Sequence, residues 1–173
     1  MSAVERFYRN VAGYWYRLVV KLRARLYIKP AMMLGELNTS LDILPLIVDK
    51  YGIGLVDSGQ VKTLSGHYKV TTIAEVMRFV KWAEIHKLPY EEPYHNCPDY
   101  AMGLLGKLCN TKGWWGLAFG FAHVVVGSQI HSVNIAVAYP SEDQQEGTIY
   151  LIEPQDGRIL LNHNRLVQYI LMP

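Results

Sequence analysis

Apolar positions recur at intervals of three and four from the start of the chain: Val4, Phe7, Tyr8, Val11, Trp15, Leu18, Val19, Leu22 and Leu26, with arginines on the other face. This spacing predicts an amphipathic helix over the first 28 residues. Pro30 and the Asn38-Thr39-Ser40 cluster break the pattern, and Leu41 to Tyr51 reads as a short helix or irregular segment closed by Gly52 and Gly54. Thr71-Thr72 then precedes a helical pattern of Ile73, Val76, Met77, Val80, Trp82 and Ala83, which predicts a capped helix ending near Lys87, before Pro89. A further helix is predicted from Cys97 to Leu108, with Pro98 at its first position and Tyr100, Ala101, Leu104, Leu105 and Leu108 facing inward. Thr111-Lys112-Gly113 ends it.

Beyond that point the period changes to two or to continuous apolar runs. Leu117 to Val126, Val133 to Tyr139 and Ile149 to Ile152, rich in valine, isoleucine and aromatic residues, are predicted strands. Pro140 to Gly147 is a polar hairpin loop, and Asp156-Gly157 a tight turn. Helices followed by an antiparallel meander predict an α+β fold in which the helix beginning at Cys97 covers one face of an antiparallel sheet.

Composition fits one globular domain: 173 residues, 50% hydrophobic and 18% charged, with no internal repeat and no low-complexity tract. The net charge of +2 conceals an asymmetry, because the first 30 residues carry +6 and the remaining 143 carry −4. Residues 1–30 are accordingly read as a basic amphipathic N-terminal helix and residues 31–173 as the α+β body. Such a helix packs on its own domain or docks to an acidic protein or a membrane surface, and nothing in it specifies nucleic acid. Even the most apolar stretch, Trp114 to Ile130, is interrupted by Gly116, Gly120, His123, Gly127, Ser128 and Gln129, so no transmembrane span is expected. The N-terminus lacks a signal-peptide pattern, and cytoplasmic synthesis is the expectation.

Two cysteines, Cys97 and Cys109, are too few for a disulfide framework. On one helix they lie about 18 Å apart, beyond disulfide reach. Cys109 reads as a core residue at the helix end. His95 with Cys97 is too sparse a set for zinc, and no metal or cofactor is expected.

Cys97 carries the chemistry. With Pro98 fixing the first helical turn, Cys97 falls at the N-cap, where unpaired amides and the helix dipole favour an anion and so a thiolate nucleophile. Such a nucleophile needs a base in reach and a group that orients the base. His131, opening the strand His131 to Val137, and Glu153, closing the strand Thr148 to Glu153, suit those roles, because the start of one hairpin strand meets the end of its partner. Symmetric pairing about the 140–147 loop sets His131 opposite Asp156 and Glu153 opposite Asn134, so Glu153 reaches the histidine only through a bulge or shifted register. Gln155 and Asp156 are rival orienters, and His123 is a rival base. Tyr90, Tyr94 and the Trp114-Trp115 pair are candidates for lining a groove, with packing favoured for the tryptophans.

The segments His95-Asn96-Cys97-Pro98-Asp99-Tyr100-Ala101, His131-Ser132-Val133-Asn134 and Leu151-Ile152-Glu153-Pro154-Gln155 resemble the papain-like peptidase domain at the C-terminal end of some fungal agglutinins, with similar free-standing phage and bacterial proteins. The resemblance covers roughly residues 57–165. It implies a papain-like fold and a catalytic set of Cys97, His131 and Glu153. Pro98 stands where the family commonly has an acid, and no glutamine lies between Gln60 and Cys97 to serve the oxyanion. The amide of Cys97 with Asn96 or His95 is the candidate oxyanion site, and Gln155 a candidate substrate contact. The family's calcium ligands have no match here.

The expectation is therefore a cysteine hydrolase that cleaves an amide bond in a protein or peptide, with a related acyl transferase as the near rival. A different class of reading keeps the papain-like fold without the chemistry, as a structural or interaction protein such as a phage particle component.

Overall fold

The computed structural model describes residues 28–91, 96–160 and 166–173. In chain order these form β1 (Gly35–Asn38), a π-helical turn (Thr39–Ile43), α1 (Leu44–Tyr51), α2 (Ile53–Asp57), β2 (Val61–Thr63), β3 (His67–Val70) and α3 (Ile73–Ala83). A 3-10 turn (Ile85–Lys87) precedes α4 (Cys97–Cys109), and β4 (Phe119–Val126), β5 (Gln129–Ala138), β6 (Thr148–Glu153), β7 (Arg158–Ile159) and β8 (Val167–Met172) complete the set. Of the basic helix predicted over residues 1–30, residues 1–27 lie outside the described residues, and Ile28 to Pro30 take no helical conformation.

The fold is α+β. Its sheet is mixed, which corrects the expectation of an antiparallel one: in the order β2-β8-β4-β5-β6-β7, the edge strand β2 runs parallel to β8 while the other pairings are antiparallel. β1 and β3 form a separate antiparallel pair.

Both faces of the larger sheet are covered, and β5 shows how the sequence encodes this. Every residue from Ser132 to Ala138 is buried. Val133, Ile135 and Val137 enter one core with Ile43 and Ile47 around α1 and with Tyr68 and Val70 of β3. Ala136 and Ala138 point into a second core with Phe79 of α3, Leu104 and Leu108 of α4, and Trp114. Branched residues fill the first core, and alanines let the helices approach on the other side, so the run is continuously apolar rather than alternating.

α3 starts where the sequence signals: the Thr72 Oγ1 accepts from the Glu75 amide at 3.2 Å. Its regular part stops at Ala83, because Glu84 takes a left-handed conformation at φ 54° and the chain continues as the 3-10 turn. Residues at the end of the basic segment and just after it pack on this layer. The Trp114 Nε1–H donates to the Lys29 carbonyl at 3.1 Å, and Ile28 and Ala31 are buried.

Candidate active site

α4 delivers Cys97, but one position later than the sequence suggests. The N-cap is Asn96, with extended backbone, and Cys97 and Pro98 are the first and second helical residues. The Asp99 carboxylate closes this end by accepting from the Asn96 amide at 3.0 Å. Proline fits there because that amide would have no intrahelical acceptor in any case. The half-buried thiol sits at the positive end of the helix, beside its own amide, which has no acceptor among the described residues. Cys109, at the other end, is exposed rather than part of the core.

The base and its partner come from β5 and β6. The ladder pairs Asn134 with Ile152, one residue away from the symmetric pairing. Continued, this register sets Glu153 level with Val133, two residues from His131 and on the same side of the pleat. The shift has a visible result: the His131 Nε2 lies 2.6 Å from the Glu153 Oε2. Glu153 retains 8% of its surface, and a carboxylate so buried requires partners. It has a second one, the Gln155 amide, which donates to Oε1 at 3.2 Å, and its carbonyl accepts from the Gly157 amide at 2.8 Å. The turn after β6 thus holds the carboxylate, which holds the ring by Nε2 and leaves Nδ1 as the nitrogen able to take a proton from a thiol.

The rivals are occupied elsewhere. Asp156 pairs with Arg158 at 2.6 Å. His123 shares its Nδ1 with the Ser132 Oγ at 3.2 Å and packs edge-on to Phe121 at 4.7 Å, and burial lowers its pKa below the usual imidazole range. Trp114 is fully buried against Phe79, and Trp115 is exposed away from the site's lining.

Cys97, His131 and Glu153 line one cleft of about 870 Å³, with Tyr90 and Gln155. The tip of the β4–β5 hairpin supplies Val126, Ser128, Gln129 and Ile130, which sequence reading missed. Their signal was the Gly127-Ser128 pair between two β-branched runs, a hairpin turn with Gly127 at φ 63°. Asn96 caps the helix but is not among the described lining residues, while His95 and Tyr94 lie outside the described residues. Gln129 and Gln155 are the glutamines brought to this cleft, from the histidine and glutamate side of the sequence rather than from upstream of the cysteine.

Among the described residues no group of three or more histidine, cysteine, aspartate or glutamate side chains could hold a metal ion, and no helix is long and apolar enough to cross a membrane.

No protein-family model and no curated protein matches the chain. Among solved structures it is similar to a Polyporus squamosus lectin bound to the human-type influenza-binding epitope Neu5Aca2-6Galb1-4GlcNAc, with 20% identity and a TM-score of 0.53 over 65% of this chain and 42% of that one. It is also similar to the chain of a PSL1a-E64 complex, with 15% identity and a TM-score of 0.61 over 79% of this chain and 50% of that one. At these identities the likeness establishes the fold alone, and this chain spans half or less of each neighbour.

Proposed function

We propose that the protein is a papain-like cysteine hydrolase acting on an amide bond of a protein or peptide. The observation that carries this reading is a cysteine at a helix N-terminus sharing a cleft with a histidine fixed by a buried glutamate. Cys97 Sγ passes its proton to His131 and attacks the carbonyl carbon, while the Cys97 amide donates to the oxyanion. His131 then protonates the departing amine, and a water activated by the same ring hydrolyses the thioester and frees Cys97. Glu153 keeps the ring oriented and steadies its positive charge. An amine in place of water would give acyl transfer on the same residues.

The structural neighbours support this reading at the level of the fold, since about half of a fungal lectin chain is the share expected of a domain carried by an agglutinin. The cleft also suggests what is bound. Tyr90, Val126 and Ile130 are apolar yet 51%, 44% and 60% exposed along its rim, which suits a bulky apolar side chain beside the scissile bond. The basic N-terminal segment, by its charge, is the attachment device for an acidic protein or membrane surface and for association with a particle.

E64, the compound named with one structural neighbour, is an epoxide that alkylates reactive thiols and is a direct probe. It should add one equivalent to the full chain at Cys97 and none to Cys97→Ala. A folded chain whose Cys97 ignores E64, and which cleaves no peptide, fits instead the silent interaction protein.

A further inference from the structure

Asn134 is fully buried in the apolar layer beneath α4, between its ladder partners Phe121 and Ile152. Its Nδ2 donates to two backbone carbonyls, Ala101 of α4 at 2.9 Å and Gly120 of β4 at 3.1 Å. Its Oδ1 is buried and has no partner among the described residues. For stability alone this is a poor choice, because an unpaired buried acceptor is a standing cost that leucine would not carry. What leucine cannot supply is direction: apolar contacts tolerate sliding, whereas two hydrogen bonds to fixed carbonyls do not.

We infer that Asn134 is a positioning residue that fixes the helix bearing Cys97 against the strand bearing His131. Ala101 lies one helical turn after Cys97, and Asn134 three residues after His131 on β5. The amide therefore ties the nucleophile's element to the base's element close to the site, and to β4 as well. A slip of α4 along the sheet would change the approach of thiol to imidazole, and proton transfer tolerates little misplacement. This inference rests on the thiol-hydrolase reading above.

The test is a double-mutant cycle on the rate at which iodoacetamide alkylates Cys97, followed by peptide mass in the wild type, Asn134→Leu, His131→Ala and the double variant. If Asn134 acts through the pair, Asn134→Leu slows alkylation about tenfold or more, and the double variant reacts no more slowly than His131→Ala. Alkylation of Asn134→Leu at the wild-type rate, or losses that multiply in the double variant, overturns the inference and leaves the hydrolase reading standing. An equal rate in His131→Ala and wild type removes the hydrolase reading itself, and this inference with it. Should Asn134→Leu fail to fold, Asn134→Ser, whose hydroxyl keeps one donor, takes its place with a smaller loss that again vanishes in the His131→Ala background; a loss that remains there overturns the inference.

Discussion

Glu153 and His131 illustrate how a single pairing register decides which side chains meet. A carboxylate with 8% of its surface exposed is held by a ring nitrogen at 2.6 Å and an amide at 3.2 Å, so its removal strands the imidazole. Glu153→Ala should therefore lower peptide turnover by up to about 10⁴-fold, as loss of the orienting acid does in a catalytic triad, with KM little changed. Equal turnover in the variant and wild type would remove Glu153 from the mechanism. On the rim, Ile130→Ser should raise KM for peptides with a bulky apolar side chain next to the cleaved bond while leaving small polar peptides unaffected, as steady-state kinetics on a paired peptide set would reveal. That Cys97, His131 and Glu153 come to one cleft was legible in the sequence, because residue type, element ends and chain order agree. The one-residue register shift was not, since nothing local in the 140–147 loop distinguishes the two pairings. The hairpin-tip residues were missed for a related reason: Gln129 and Ile130 gain meaning only when β5 is extended back to the turn.

At the scale of elements, the clearest sequence signals were those with local causes. Thr72 with Glu75, and Asn96 with Asp99, close helix starts through hydrogen bonds that span a few residues, with Pro98 in the first turn of the second. Thr72→Ala should cost about 1 kcal/mol in a denaturant melt, the usual value of a lost N-cap. β1, β2, β3 and β8 escaped notice because strands of three to six residues owe their existence to distant partners: β2 pairs with β8 across more than a hundred positions, in a parallel sense no local pattern encodes. Gly120 marks the tightest of these approaches. A Cβ there would lie 2.2 Å from the Leu171 carbonyl oxygen, so Gly120→Ala must push β8 away from β4. It should destabilise the chain by at least about 2 kcal/mol, in the range of core overpacking, and a melt unchanged from wild type would contradict the close contact.

For the whole molecule, the two-sided burial of the sheet was partly legible, as the continuous apolar run of β5, and the mixed topology was not. The charge asymmetry remains the most useful global feature of the sequence, since it sets a basic segment of +6 apart from a body of −4. Stability should also respond to pH through His123. Burial depresses its pKa in the fold, so the unfolded chain binds a proton more readily. Its contribution is present above the ordinary imidazole value near 6.5 and is lost as pH falls below it through the depressed value. Denaturant melts between about pH 7 and 5 should show this loss in wild type and a flatter profile in His123→Gln, whereas identical slopes would exclude His123 as the source.

Cys97 as an activated nucleophile underlies all of the proposed chemistry. The most direct measurement is site-resolved labelling of the full chain with E64 at neutral pH, with Cys109 as the internal reference thiol on the same helix. The account predicts stoichiometric modification of Cys97, none of Cys109, and a rate reduced by roughly 10²-fold or more in His131→Ala. Modification confined to Cys109, or equal rates with and without the imidazole, would contradict it.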